Sequence, residues 1–361
     1  MTNAPAVSVI IPMYNAENFI AECLDSVLAQ TFQNFEVIIV NDCSTDGCRK
    51  IAESYLEKFG GRLAIYDNEK NLGPGGARNN GLLHANGEYI FFMDADDLII
   101  PFGLKRIFDT AKVYNADVLN STVCFVMDKD GNKRSYTVPK TVAATKHIFD
   151  TNTEWRIKKL LKNKFRWAPW RKLVRREFLL ENELFFPAEI RRAEDVIWTH
   201  ALWFFAERII HVPLSFYIHR QDPPSAPRTK PELIELINFR ASSIIRALEW
   251  IVNVMDRAPF FKENPQYRYP MLKHIAERFF MIILRFSPRF SSAAIYDSLK
   301  EEIDKNFGGC DIKETLPVLF TLIIEYHKIL AKNFADDDRH SLGKYLDSAR
   351  MSDDDFDTQK N

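Results

Sequence analysis

The chain has 361 residues, with 48 Lys or Arg against 49 Asp or Glu and a formal net charge of −1. That length can bury a large core with room for a second domain, and a charge so near zero argues against general nucleic-acid binding. The five cysteines, Cys23, Cys43, Cys48, Cys124 and Cys310, show no paired metal-site spacing and read as free thiols, which implies the cytoplasm. Apolar runs such as Phe279 to Leu284 and Val318 to Phe320 fall far short of the ~20 residues that span a bilayer, and the amino terminus has no signal-peptide pattern.

In chain order, Val7 to Ile11 reads as a buried strand stopped by Pro12, and Asn15 as the cap of a helix with Phe19, Ile20, Cys23, Leu24 and Val27 on one face. Glu36 to Val40 reads as a second strand. It ends in Asn41-Asp42-Cys43-Ser44-Thr45-Asp46 before a helix with Ile51, Tyr55, Leu56 and Phe59 on one side. Strands alternating with helices of this length imply right-handed crossovers and a parallel sheet, which places the strands' carboxyl ends on one edge.

Tyr89-Ile90-Phe91-Phe92-Met93 is a third apolar strand, and it runs straight into Asp94-Ala95-Asp96-Asp97. A strand buried on both faces has room for carboxylates only past its end, where open α/β sheets bind ligands. Crowded acids of this spacing suit a hard cation, Mn²⁺ or Mg²⁺, whose remaining ligands are water and phosphate. Taken alone, Asp96 or Asp97 reads equally as the cap of a helix starting near Pro101. Convergence of Asn15, Asp42 and the Asp94–Asp97 cluster on one edge favours the site. Gly73, Gly75 and Gly76 offer either a phosphate cradle or a permissive turn.

Taken together, Val7-Ser8-Val9-Ile10-Ile11-Pro12-Met13-Tyr14-Asn15, Asn41 to Asp46, Ala77-Arg78-Asn79 and Gly87 to Asp97 resemble the nucleotide-sugar-binding half of family 2 glycosyltransferases with the GT-A fold. The resemblance continues through Trp170 to Arg176, Glu194-Asp195-Val196 and Phe216-Tyr217-Ile218-His219-Arg220, and so covers roughly residues 6 to 226. Cys43 stands where that family usually has Gly, and Pro74-Gly75-Gly76 is richer in glycine than the usual turn.

The resemblance implies an α/β fold with a mostly parallel, Rossmann-like sheet flanked by helices; beyond it, apolar spacing such as Leu233, Ile237, Ile244, Ile245 and Leu248 reads as a helical carboxyl-terminal region. The resemblance also implies roles. Asp42 would accept from the base, commonly uracil, which the backbone near Pro12 and Tyr14 would flank, with Asn15 among the nucleotide-sugar contacts. Asp94 would hold the ribose and Asp96 the metal, Mn²⁺ or Mg²⁺. Arg78 reads as a nucleotide contact or as a helix-surface cation. Asp195 matches the catalytic base that takes the proton of the attacking hydroxyl, although Glu194 and Asp195 also read as first-turn acids of a helix. Asp97, Lys172, Glu194, His219 and Arg220 are candidates for diphosphate or acceptor contacts. One base without an enzyme nucleophile means a single, inverting displacement.

The expected activity is therefore transfer from a nucleoside-diphosphate sugar, in the commonest case a UDP-sugar, to a hydroxyl of a glycan or lipid-linked saccharide, as in surface polysaccharide or lipopolysaccharide synthesis. Two alternatives are a catalytically silent binding or scaffold protein of the same fold and a sugar nucleotidyltransferase. The latter would want a glycine-rich, Arg- and Lys-bearing loop where Pro12-Met13-Tyr14-Asn15-Ala16 stands.

The expected domains are residues 1–226, with a nucleotide-sugar half over 1–115 and an acceptor half over 116–226, then helices over 227–335 and an acidic disordered tail over 336–361. From Trp155 to Phe178 there are ten Lys or Arg residues among Trp155, Phe165, Trp167, Trp170 and Phe178. Such a segment suits peripheral contact with an anionic membrane, on the inner face of the cytoplasmic membrane here, or a solvated helix face with its aromatics packed inward.

Overall fold

A computed structural model describes residues 4–137, 146–190, 193–221 and 246–285. The chain divides into two units, Met1–Arg228 with Arg257–Glu263 and Thr229–Asp256 with Asn264–Asn361. In the second, the described residues are helical over 246–256, with a single tight turn at Pro265–Tyr267 and a helix at Arg268–Arg285. The remaining helices expected over 227–335, and the tail over 336–361, lie outside the described residues.

In the first unit, the apolar runs form β1 (Val7–Met13), β2 (Phe35–Asn41), β3 (Leu63–Asp67) and β4 (Tyr89–Phe92), which pair in parallel in the order β3-β2-β1-β4. Helices cover both faces, which is why these strands need no polar alternation. The helix α1 (Ile20–Leu28) buries Ile20, Cys23, Leu24 and Val27, one apolar stripe at helical spacing. α2 (Cys48–Glu53) is shorter than its apolar pattern suggests, and turns carry Tyr55 and Phe59 inward while Leu56 stays exposed. α3 (Gly73–His84) crosses the sheet closely at Gly81, where an added Cβ would lie 2.3 Å from Ile10 Cγ2.

Three expectations are corrected here. β1 does not stop at Pro12 but pairs through it to Met13, opposite Val40 and Asn41. Pro12 shares Ile10's hydrogen-bonding side, where β4 pairing ends at Phe92, so its missing N–H costs no ladder bond. Asn15 does not cap α1, which starts five residues later, at Ile20, with Phe19 at the cap position. Neither Asp96 nor Asp97 caps the next helix: β5 (Leu98–Ile99) intervenes, and α4 (Gly103–Val113) begins after Phe102.

The rest of the large sheet is mixed. β6 (Val118–Ser121) is followed by β7 (Val123–Met127), β8 (Lys133–Thr137), β9 (Ile148–Asp150), α5 (Thr153–Leu161) and β10 (Lys172–Arg175). β10 inserts antiparallel between β4 and β6, with Leu173 opposite Phe91 and Leu119, so its amino end lies at the edge where β4 ends. After α6 (Arg176–Glu181) comes α7 (Glu194–Phe205), leading into β11 (Ile209–Val212), which pairs in parallel with β6. That direction sets the start of α7 at the same edge. β12 (Tyr217–Arg220) lies between β5 and β7 in a second sheet of order β5-β12-β7-β8.

The basic, aromatic segment is divided, with Lys158, Lys162 and Arg166 exposed and other members packed inward. Phe165, Trp170 and Phe178 are buried, as are Arg156, Arg171 and Lys172. Arg156 donates to Asp150 at 2.8 Å and to the Trp203 and Ala206 carbonyls. Among the described residues no helix is long and apolar enough to cross a membrane.

Candidate active site

The Asp94–Asp97 loop leaves the carboxyl end of β4, and β12 grips it. Tyr217 Oη donates to Asp97 Oδ2 at 2.7 Å and accepts from the Asp94 N–H at 3.1 Å. His219 Nδ1 meets the same Asp97 oxygen at 3.2 Å, and Asp97 Oδ1 accepts the Arg220 N–H at 2.7 Å. Asp97 is thus an internal clamp, 1 % exposed, rather than a ligand offered to solvent. Contact with Asp97 holds the His219 imidazolium above the usual histidine range. Arg220 donates from Nε to the Asp96 carbonyl at 2.9 Å and from Nη2 to Glu22 at 2.8 Å, pinning the loop to α1.

Asp96 is different. Its carboxylate has no hydrogen-bond partner beyond its own backbone N–H among the described residues, and burial, then Asp97 and Asp94, push it up to about 6. An uncompensated, half-buried carboxylate with acids on both sides fits a cation. No group of three or more His, Cys, Asp or Glu side chains could hold a metal by itself among the described residues. Any metal here would take most of its ligands from water or a substrate.

Arg78, on α3, is buried, so it is not a helix-surface cation. Its Nη2 bonds Asp94 Oδ1 at 2.8 Å and its Nη1 bonds Glu194 Oε1 at 3.2 Å, with the guanidinium 5.3 Å above the Phe186 ring. One cation therefore ties the acidic loop to the first turn of α7. Gly75 makes room for this: an added Cβ would stand 3.1 Å from Glu194 Cγ and 3.3 Å from Phe186 Cβ. That contact accounts for one of the extra glycines in Pro74-Gly75-Gly76.

Burial raises Glu194 to about 6 against the pull of Arg78. Asp195, next to it, is also raised by burial, opposed by Arg78 and then Lys172. Its Oδ1 accepts the Val196 N–H at 2.8 Å. The first-turn placement expected for both acids holds, and Ala193 before them is left-handed at φ 65°. Backbone strain of this kind costs on the order of 1–2 kcal/mol and is common beside reacting groups.

Asp42 caps α3. Its Oδ1 accepts from Asn68 Nδ2 at 2.7 Å and from the Leu72 N–H at 2.8 Å, and its Oδ2 from the Gly73 N–H at 2.8 Å. Those amides are thereby spent, which removes Gly73 from a phosphate cradle. Oδ2 retains a free lone pair. Asn15 joins the first two loops: its N–H donates to Ser44 Oγ at 3.1 Å, its Oδ1 accepts the Thr45 N–H at 2.8 Å, and its φ is 49°. Tyr14 beside it is 52 % exposed, an open aromatic face at the edge of the crevice.

Lys172 lies inside, with its ammonium on the carbonyls of Arg166, Trp167 and Ala168 at 3.2, 3.0 and 2.9 Å. The structure gives Trp170 and Tyr217, which the sequence offered only as members of motifs, a place at the site. Trp170 stacks on Tyr217 at 4.5 Å and 7° and on His219 at 5.3 Å and 18°. The only sequence signal for this wall was the alternation of Tyr217 and His219 on one face of β12.

Residues 8–179 match the family model described as glycosyl transferase family 2. This stretch, a little under half of the chain, is similar to a family 2 glycosyltransferase domain. The chain is 34% identical over 221 residues to "Uncharacterized glycosyltransferase EpsJ" of Bacillus subtilis, covering 61% of this chain and 62% of that one. It is 33% identical over 207 residues to the poly(ribitol-phosphate) beta-N-acetylglucosaminyltransferase TarS of Staphylococcus aureus, covering 56% of this chain and 33% of TarS. The crystal structure of TarS 1-349 superposes with a TM-score of 0.59 at 24% identity, over 83% of this chain and 82% of that one, which establishes the GT-A fold. Its complex with UDP-GlcNAc gives 0.53 at 25% identity, over 84% and 92%. The chain thus spans about three fifths of EpsJ and a third of full-length TarS.

Proposed function

We propose that the domain transfers a sugar from a uridine diphosphate sugar to a hydroxyl of a saccharide or polyol polymer, with inversion. The observation that carries this is the Arg78 bridge, because it sets Asp195 beside the Asp94–Asp96 loop, a proton acceptor next to a cation-seeking carboxylate. The UDP-GlcNAc complex of TarS supports the donor class, and the poly(ribitol-phosphate) in the TarS name supports a hydroxyl-bearing polymer as acceptor.

Asp96 would hold a divalent metal, Mn²⁺ or Mg²⁺, with Asp94 and His219 facing the same space. When bound, the metal neutralises the charge that gathers on the leaving diphosphate. Asp94 keeps one oxygen free of Arg78 for the ribose, and Asp42 Oδ2 keeps a lone pair for a base N–H. Asp195 accepts the proton of the attacking hydroxyl. Burial makes it a stronger base than a solvated carboxylate, and the cations around it keep it ionised. Asp97, Arg220 and Arg78 hold these groups in place rather than meeting the sugar.

A screen of nucleotide sugars for diphosphate release tests the activity, with Asp195→Asn as control. The amide is isosteric, so donor binding should stay near normal while turnover falls on the order of 10²–10⁴-fold. Wild-type turnover in Asp195→Asn, or retained anomeric configuration in the product, would refute the base. A purely binding protein of this fold would show no release with any donor.

A further inference from the structure

Lys172 is fully buried at the amino end of β10, and among the described residues no carboxylate bonds its ammonium. An unpaired buried cation is costly, so its alternative partners are informative. They are the three successive carbonyls of Arg166, Trp167 and Ala168. Three acceptors on one nitrogen suit all three protons of the charged form, and with Asp195 they oppose the burial that pushes the ammonium down to about 7. The Trp167 carbonyl also accepts from Thr199 Oγ1 at 2.7 Å, one turn along α7 from Asp195. The Trp167 ring lies flat on His200, 4.8 Å away at 9°. The first turns of α7 therefore rest on a turn that Lys172 gathers.

The charged groups acting on Asp195 come from each element around it: Arg78 of α3, Lys172 of β10, Asp94 at the end of β4 and Glu194 on α7 itself. Arg78 is bonded to Asp94 and Glu194. Lys172 is the neighbouring cation with no carboxylate of its own. We propose that Lys172 is a positioning residue for transfer: its ammonium seats α7 on the 166–168 turn and supplies charge that keeps the Asp195 carboxylate ionised. This rests on Asp195 being the base.

The test is the pH profile of turnover at saturating donor for wild type, Lys172→Gln, Lys172→Arg and Asp195→Asn. Gln keeps two donors for the carbonyls but removes the charge. Its acid limb should move to higher pH by roughly half to one unit, a loss of roughly three- to tenfold at the foot of that limb, with donor KM unchanged. Arg keeps the charge but cannot set three donors on one atom, so its plateau should fall while the limb stays in place. An unmoved limb in Lys172→Gln, with Asp195→Asn inactive, overturns the inference alone. Wild-type activity in Asp195→Asn overturns the base reading beneath it.

A second measurement does not depend on Lys172→Gln folding, because coupling between two sites is reciprocal. In ¹⁵N-lysine-labelled Asp195→Asn, the Lys172 ammonium, assigned by its absence in Lys172→Arg, should lose its proton at a pH lower by the same interval. An unchanged titration would overturn the inference.

Discussion

Removing Arg78 should make the stability of the domain strongly pH-dependent. Arg78 is the counter-charge shared by Asp94 and Glu194, and its side chain and that of Glu194 are only 7% and 8% exposed. Raising Glu194 from 4.5 to about 6 corresponds to ~2 kcal/mol lost as pH climbs through that window, since the folded state there binds the extra proton. Arg78 opposes this rise, so Arg78→Met should push Glu194 higher and widen the window toward neutral pH. Breaking a buried pair by deleting one partner typically costs about 3–5 kcal/mol, and that is the loss expected at pH 8. At pH 5, where Glu194 is largely protonated, the loss should shrink to roughly 1–2 kcal/mol.

Urea unfolding of wild type, Arg78→Met and Arg78→Met with Glu194→Gln at both pH values reads this directly. The second substitution should restore about half or more of the loss at pH 8, because it removes the stranded charge. An equal loss at pH 5 and pH 8, or a loss under about 1 kcal/mol at pH 8, would show that the bridge does not carry the charge balance described here.

Further outcomes are expected elsewhere in the site. Asp96→Ala should abolish metal-dependent binding of uridine diphosphate while leaving the fold intact, and activity insensitive to a chelator would refute the metal. Asp42 should favour uridine over adenosine diphosphate, with equal affinities by calorimetry counting against it. Ala193→Gly should stabilise the protein by roughly 1 kcal/mol, because Gly adopts the left-handed conformation of Ala193 freely; an unchanged or lower melting temperature would exclude strain at that residue.

Much of this was legible from local pattern. The strands β1, β2 and β4 announce themselves as apolar runs, and a parallel pairing carries Asp42 and the Asp94–Asp97 cluster to one edge whatever else the fold does. The placement of the acids, a cluster just past a buried strand and a first-turn pair on a later helix, was likewise readable, because a buried strand has room for carboxylates only past its end.

What the residue order could not show was which acids face the crevice and which face inward. Asp96 and Asp97 are adjacent and identical in type, yet the carboxylate of one bonds no other described residue and that of the other is taken up by Tyr217, His219 and the Arg220 amide. The difference comes from β12, 120 residues away in the chain at Tyr217. Nor does local pattern reveal that β10 runs backwards, since strand direction depends on how the chain re-enters the sheet and leaves no trace in side-chain periodicity. That reversal brings Lys172 and the 166–168 turn under α7. Arg78 read as a surface cation or a nucleotide contact because its two partners, at 16 and 116 residues' separation, meet only in the folded chain. Composition and spacing determined the elements and their chemistry; long-range packing decided which charges were left to act, because the burial that shifts a carboxylate is a property of everything around it rather than of its neighbours in sequence.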